Sequence, residues 1–232
     1  MTGRILVIDV GTSSVRAAIV DRTSTVVASH NRAMLPDTPA DGLVEVNGAA
    51  MADAVVDLAR SALDTGPVDA VGIANQRATT LVWDRASGEP VAPGLGWQDL
   101  RTIGTCLALG AEGIRIAPNL SATKAADILD RVDPDRGRDL CIGTVDSWVA
   151  WTLTERSLHV TDPTNAALTG LRNREADDWD DDLLARLRLD RGSLATVVGS
   201  SGAIGEATAL PGAPPICGIA GDQQASLVGQ GC

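Results

Sequence analysis

The chain has 232 residues and a formal net charge of −11, with 44% hydrophobic and 21% charged residues, the balance of a globular domain with ample core material. That acidity argues against nucleic acid or anionic membrane as a partner, since both require basic patches. No apolar stretch approaches the roughly 18 residues of a membrane span. Phe and Tyr are absent, which leaves Leu, Ile, Val, Ala and five Trp to fill the interior.

In chain order, Arg4–Val10, Val15–Asp21 and Thr25–Ser29 read as three short strands with tight connections, an antiparallel meander. The start runs straight into a strand, so no signal peptide is expected. Met51, Val55, Leu58 and Leu63 recur near helical spacing behind Asn47, a suitable N-cap. Val68–Ala74 then reads as a buried strand and Thr79–Trp83 as another. Helices are expected over Gln98–Leu109, Thr123–Val132, Asp146–Leu153 and Asp180–Leu187. Val197–Pro215, rich in Gly, Ser and Pro, reads as loop. A last buried strand, Ile216–Ala220, leads into a helix that opens at Gly221-Asp222 and is expected to run to the end of the chain. Strands followed by crossover helices imply an α/β fold around a central sheet. Cys106, Cys141, Cys217 and Cys232 form no C-x-x-C pair, which fits reduced thiols and a cytoplasmic protein.

Four segments carry candidate chemistry. In Asp9-Val10-Gly11-Thr12-Ser13-Ser14, backbone amides and hydroxyls turn outward together, a concavity suited to phosphate. Asp9 adds an oxygen ligand for Mg²⁺, and Arg16 adds a fork of donors for phosphate oxygens. An ordinary hairpin turn accounts for these residues equally well. Asn75-Gln76-Arg77 and Gly221-Asp222-Gln223-Gln224 follow buried strands, where ligands collect in open α/β sheets. Gly221 permits close approach, and the two glutamine amides suit a polyol. Asp222 as a mere helix cap, and Arg77 as a surface ion-pair former, are the plainer alternatives. Trp97-Gln98-Asp99-x-Arg101 reads as a core anchor before a capped helix, or as a pocket wall.

Seven segments in order resemble the N-terminal half of FGGY-family carbohydrate kinases, in particular the glycerol kinase branch. They are Ile8–Arg16, Gly72–Thr80, Trp97–Thr102, Ser121–Lys124, Thr144–Trp148, His159–Ala166 and Gly218–Gln224. The resemblance implies an actin- and hexokinase-like (ribonuclease H-like) mixed sheet flanked by helices. It also implies ATP and Mg²⁺ as cofactors, with Asp222 as general base. Asp9 would hold the metal, while Thr12, Ser13, Ser14 and Arg16 would take the ATP phosphates. Arg77, Trp97, Asp222 and Gln223 would line the site of a small polyol or sugar. A Walker-type phosphate loop is missing, which excludes only that other design.

Two positions depart from the family. Ala78 stands where glycerol kinases carry a Glu, and Asn119 where they carry a Tyr; both family residues contact glycerol. An acceptor other than glycerol, a bulkier polyol or a ketose, is therefore expected. The family's second, nucleotide-binding domain is expected beyond Cys232, so residues 1–232 alone should have little kinase activity. A non-catalytic relative that binds a polyol or a partner, and a structural domain on the same scaffold, are the competing readings. Self-association is left open.

Overall fold

The computed structural model of the protein describes residues 2–173 and 178–231. Strands β1 (Arg4–Val10), β2 (Ser14–Asp21) and β3 (Val26–Ala33) form the expected antiparallel meander, with the third strand running further than its sequence suggests. Helix α1 (Gly48–Leu63) follows, its first turn closed by the Asn47 side chain, which accepts from the Ala50 amide. Its buried residues Met51, Ala54, Val55, Leu58 and Ala62 keep the spacing of a single helical face. Strand β4 (Ala70–Asn75) then lies parallel to β1.

Strands β5 (Leu81–Asp84) and β6 (Leu140–Gly143) pair with each other in a separate two-stranded sheet. Between them lie α2 (Ile103–Ala111) and α3 (Ser121–Val132); after them come α4 (Val145–Leu153), α5 (Pro163–Ala166) and α6 (Asp181–Leu187). Strand β7 (Ser201–Glu206) runs antiparallel to β8 (Pro215–Gly221), β8 runs parallel to β4, and α7 (Asp222–Gly229) follows. The resulting order, β7-β8-β4-β1-β2-β3, is a six-stranded mixed sheet.

Alternate residues of β1 and β4, and residues on either side of the register shift in β8, face one core. Leu6, Ile8 and Val10 from β1, Val71 and Ile73 from β4, and Ile216 and Ile219 from β8 pack with α1 and α4. Burying each such side chain stabilises the fold by about 1.5–3 kcal/mol. A second cluster joins Val82 and Ile142 to Ile128, Leu129 and Leu184. Four of the tryptophans are buried, and Trp83 meets Trp148 edge-on at 5.1 Å between ring centroids and stacks obliquely at 5.9 Å on Trp151. Trp97 is the exception at 40% exposed. Cys106, Cys141 and Cys217 are free thiols; Cys232 falls outside the described residues. Among the described residues no helix is long and apolar enough to cross a membrane.

Two expectations are corrected. The helix expected from Gln98 begins at Ile103. Upstream, the buried Asp99 carboxylate accepts from the amides of Val44 (2.6 Å) and Arg101 (2.9 Å) and pairs with the Arg101 guanidinium, bending the chain into a turn instead. The segment expected as loop, 197–215, contains the edge strand β7, whose register shifts between Ser201 and Gly205. Gly202 and Gly205 erase the alternation that marks a strand, and an edge needs only one partner.

Asp146, near the start of α4, is fully buried. Burial pushes its carboxyl up to about 6, against the hydroxyls of Thr144 and Thr161 that donate to it, and nearby Asp162 raises it further. The native state therefore keeps a proton that the unfolded chain releases above its ordinary value of 3.8, and raising the pH through this window costs stability. Asp146→Asn should gain on the parent as the pH rises from 3.8 to about 6, by up to about 3 kcal/mol, when urea melts are compared across that range. A difference that stays flat with pH would show that Asp146 is ionised in the native protein.

Candidate functional site

The site is set by strand register. Parallel pairing places Val10 of β1 beside Asn75 of β4, and Asn75 beside Gly221 of β8. Three strands thus end at one level, and the residues just beyond them emerge together: the turn from Gly11 to Ser14, Gln76-Arg77 and Asp222-Gln223. The cleft between them, about 220 Å³, is lined by Thr12, Gln76, Arg77, Ala78, Trp97, Asn119, Leu168, Asp222 and Gln223. A larger concavity of about 730 Å³ lies elsewhere, between α1, α4 and the Gly88–Pro90 turn, and none of the nominated residues reaches it.

Thr12, Arg77, Trp97, Asp222 and Gln223 therefore meet as the sequence led one to expect. Trp97 is a wall of the cleft and no core anchor: its indole N–H donates to Thr12 Oγ1 at 3.1 Å, joining that wall to the turn. Arg77 crosses to hydrogen-bond the Gln223 side-chain oxygen. Asp222 is exposed at the first position of α7, with no capping bond from the preceding Gly221, and its Oδ1 accepts from the Gln223 amide at 2.8 Å. Gln224 does not line the cleft; its Oε1 is buried without a hydrogen-bond partner.

Asp9, Ser13, Ser14 and Arg16 belong to the hairpin behind Thr12. The Gly11 amide closes the turn onto Ser14 O at 2.9 Å, which leaves Thr12 and Ser13 at its tip. Asp9 and Arg16 face each other across the hairpin. Burial holds the Asp9 carboxyl above its usual range; the Arg16 guanidinium opposes this, and the Asp222 carboxylate adds to it. A carboxylate whose proton affinity is raised by a second carboxylate nearby suits a divalent cation. Among the described residues no group of three or more His, Cys, Asp or Glu forms a cage. That fits Mg²⁺, which takes one or two carboxylates and completes its shell with phosphate oxygens and water.

Sequence reasoning missed two supports. Gln76 is buried and ties the strand end to the turn through Nε2, which donates to Gly11 O at 3.1 Å. Lys124 is buried beneath the cleft, and its ammonium donates to the carbonyls of Ala78 (3.3 Å) and Asn119 (3.1 Å). Burial lowers the lysine to about 8, with Asp99 opposing the shift. The Ala78 carbonyl also accepts from Ser121 Oγ and Thr80 Oγ1, each at 3.2 Å, and these donors hold Ala78 in a left-handed backbone with φ of 63°. Gln76 and Lys124 both lie in segments that the sequence singles out, but their supporting roles depend on partners 65 and 46 positions away.

Residues 4–229 match the family described as FGGY family of carbohydrate kinases, N-terminal domain. The chain belongs to this family of sugar and polyol kinases. Among curated proteins it is 41% identical over 249 residues to a glycerol kinase of Rhodospirillum rubrum, with 98% of this chain and 50% of that one covered. It is 42% identical over 253 residues to a glycerol kinase of Xanthobacter autotrophicus, with 100% and 51% covered. The chain thus spans about half the length of the curated relatives it matches. Its fold matches Plasmodium falciparum glycerol kinase, solved with ADP, at a TM-score of 0.91 and 24% identity, covering 98% of this chain and 50% of that one. It also matches a ligand-bound xylulose kinase of Lactobacillus acidophilus at a TM-score of 0.86 and 19% identity, covering 97% and 49%. The actin- and hexokinase-like mixed sheet expected from the sequence is the fold observed.

Glycine is required at 221 by proximity alone. Its φ of −60° suits any residue, yet a Cβ there would lie 2.2 Å from Arg77 Cδ and 2.7 Å from Cγ. Gly221→Ala should therefore expel Arg77 and break its bond to Gln223. The Arg77 Nε–H resonance is expected to shift and exchange faster, as in Gln223→Ala, while Tm changes by a few degrees at most, since both partners are surface groups. An Arg77 signal identical to the parent's would show that the strand, and not the arginine, gives way.

Proposed function

We propose that this chain is the acceptor- and phosphate-binding half of an ATP-dependent kinase that transfers the γ-phosphoryl group to a hydroxyl of a polyol or sugar. The observation that carries the reading is the level ending of three parallel strands, which sets an exposed carboxylate at Asp222 opposite a phosphate-type turn at Thr12. Phosphoryl transfer demands positioning and charge neutralisation more than covalent chemistry from the protein. Asp222 would take the proton of the attacking hydroxyl, and Arg77, Trp97 and Gln223 would orient that hydroxyl's carbon chain. The outward amides of the turn, the hydroxyls of Thr12, Ser13 and Ser14, and the Arg16 guanidinium would hold the phosphates. Asp9 would hold Mg²⁺ through water, and the ion supplies charge neutralisation on the phosphate oxygens.

Helix α7, whose first residues Asp222 and Gln223 line the cleft, has no buried residue and exposes Leu227 (54%) and Val228 (77%). The relatives are about twice as long as this chain, and closure of a second lobe over this face would exclude water and align the phosphate. Such a lobe is the partner we propose, in a cytoplasmic enzyme.

The acceptor is proposed to be larger than glycerol. Ala78 and Asn119 line the cleft, where the glycerol kinase pattern has Glu and Tyr. Each lost hydrogen bond to glycerol costs about 0.5–1.5 kcal/mol, and more where a charge took part. Together they weaken glycerol about tenfold to several hundredfold and free space for a longer polyol or a ketose.

With the proposed second lobe present, Asp222→Asn is expected to lower phosphoryl transfer by about 10²–10⁴ while leaving acceptor affinity within a few-fold, measured by coupled ADP release and by calorimetry. Retained turnover would remove Asp222 from the base role. A panel of polyols and ketoses should rank a four- or five-carbon compound above glycerol; glycerol as the best acceptor would overturn the specificity argument.

A further inference from the structure

Behind the cleft, and on none of its walls, lies a buried carboxylate with five donors converging on it. Asp162 precedes α5 and accepts from the amides of Thr164 (3.1 Å) and Asn165 (2.9 Å), as any helix cap does. It also accepts from three side chains: Thr164 Oγ1 at 3.0 Å, Asn165 Nδ2 at 2.8 Å and Ser200 Oγ at 2.6 Å. Capping does not require these three.

Each of them passes the interaction on. A hydroxyl has a single proton; with that proton given to Asp162, Thr164 Oγ1 presents lone pairs outward and accepts the Gly221 amide at 2.8 Å. Gly221 directly precedes Asp222. Ser200 reaches the same strand two residues earlier, its carbonyl accepting from the Ile219 amide at 3.0 Å. A carboxylate accepts only, so it fixes which way the Asn165 amide lies, nitrogen inward. Asn165 and Asn75 then bond reciprocally, Asn75 Nδ2 to Asn165 Oδ1 at 2.9 Å and Asn165 Nδ2 to Asn75 Oδ1 at 3.2 Å. The second Asn75 proton goes to Gln76 O at 2.7 Å, one residue before Arg77. Asp162, Asn165 and Asn75 are all fully buried, where a misdirected amide would leave unpaired polar atoms.

We infer that Asp162 is a positioning residue: one buried carboxylate, acting through Thr164 and Asn165, orients both strand ends that present Arg77 and Asp222 to the cleft. This rests on the kinase reading only for its consequence in turnover; the hydrogen-bond relays stand apart from it.

The test uses Asp162→Asn and Asp162→Ser, both of which can still cap α5, with Thr164→Val as a variant that breaks a single relay. Exchange of the Gly221 amide and of the Asn75 side-chain amide is followed by NMR on the 232-residue chain. In Asp162→Asn and Asp162→Ser both are expected to exchange about tenfold faster, while the amides of the β1–β2 hairpin keep their rates. Thr164→Val should accelerate Gly221 alone, a result that supports the proposal even where the Asp162 variants fold poorly. With the proposed second lobe present, Asp162→Asn should lower kcat about tenfold or more with KM for ATP within twofold. Unchanged exchange at Gly221 and Asn75 in the Asp162 variants would reduce the residue to a cap and overturn the proposal. Faster exchange in a protein whose parent shows no phosphoryl transfer would uphold the positioning role and sink the kinase reading instead.

Discussion

Val10, Asn75 and Gly221 lie side by side because β1, β4 and β8 pair in parallel without slipping at their carboxyl ends. A slip of one residue on either side of β4 would turn Asp222 or Thr12 to the opposite face of the sheet, since side chains alternate with period two. The register is held from both directions. Leu6, Ile8, Val71, Ile73, Ile216 and Ile219 lock the core face, while Asn75, Asn165 and Asp162 lock the ends by directed hydrogen bonds. Apolar packing fixes which face is buried but tolerates small shifts along a strand. Hydrogen bonds between buried amides do not, because a displaced partner costs the full desolvation of the group it abandons.

The candidate site residues were largely legible because they follow from local rules. Asp9, Arg77 and Asp222 sit at the ends of strands whose apolar runs are unmistakable, and that is where α/β sheets present ligand-binding groups. Asn47 as a cap and the spacing within α1 are likewise local. What stayed hidden acts at long range. Asp99 bends its own segment because it meets Val44, and Lys124 shapes the floor because it meets Ala78. Asn165, noted in the sequence only within a resemblance segment, has no visible role until its partner ninety positions away is known. The edge strand β7 escaped for a different reason: Gly202 and Gly205 leave no pattern to read.

The polar supports also show how an acidic, aromatic-poor chain obtains rigidity. With neither Phe nor Tyr available, the interior combines a cluster of tryptophans around Trp83 with an array of small side chains and buried amides. Lys124 is the extreme case, a buried cation spent on two backbone carbonyls rather than on a carboxylate. Its two acceptors, Ala78 and Asn119, are themselves walls of the cleft.

The distribution of tryptophan has an optical consequence. Without tyrosine, near-ultraviolet emission comes from indoles alone, and Trp83, Trp148, Trp151 and Trp179 are shielded from solvent. Trp97 is partly exposed, and its N–H is engaged by Thr12 at the mouth of the cleft. Any molecule that enters there must disturb the red edge of the spectrum, so this chain carries its own reporter of occupancy and needs no attached dye.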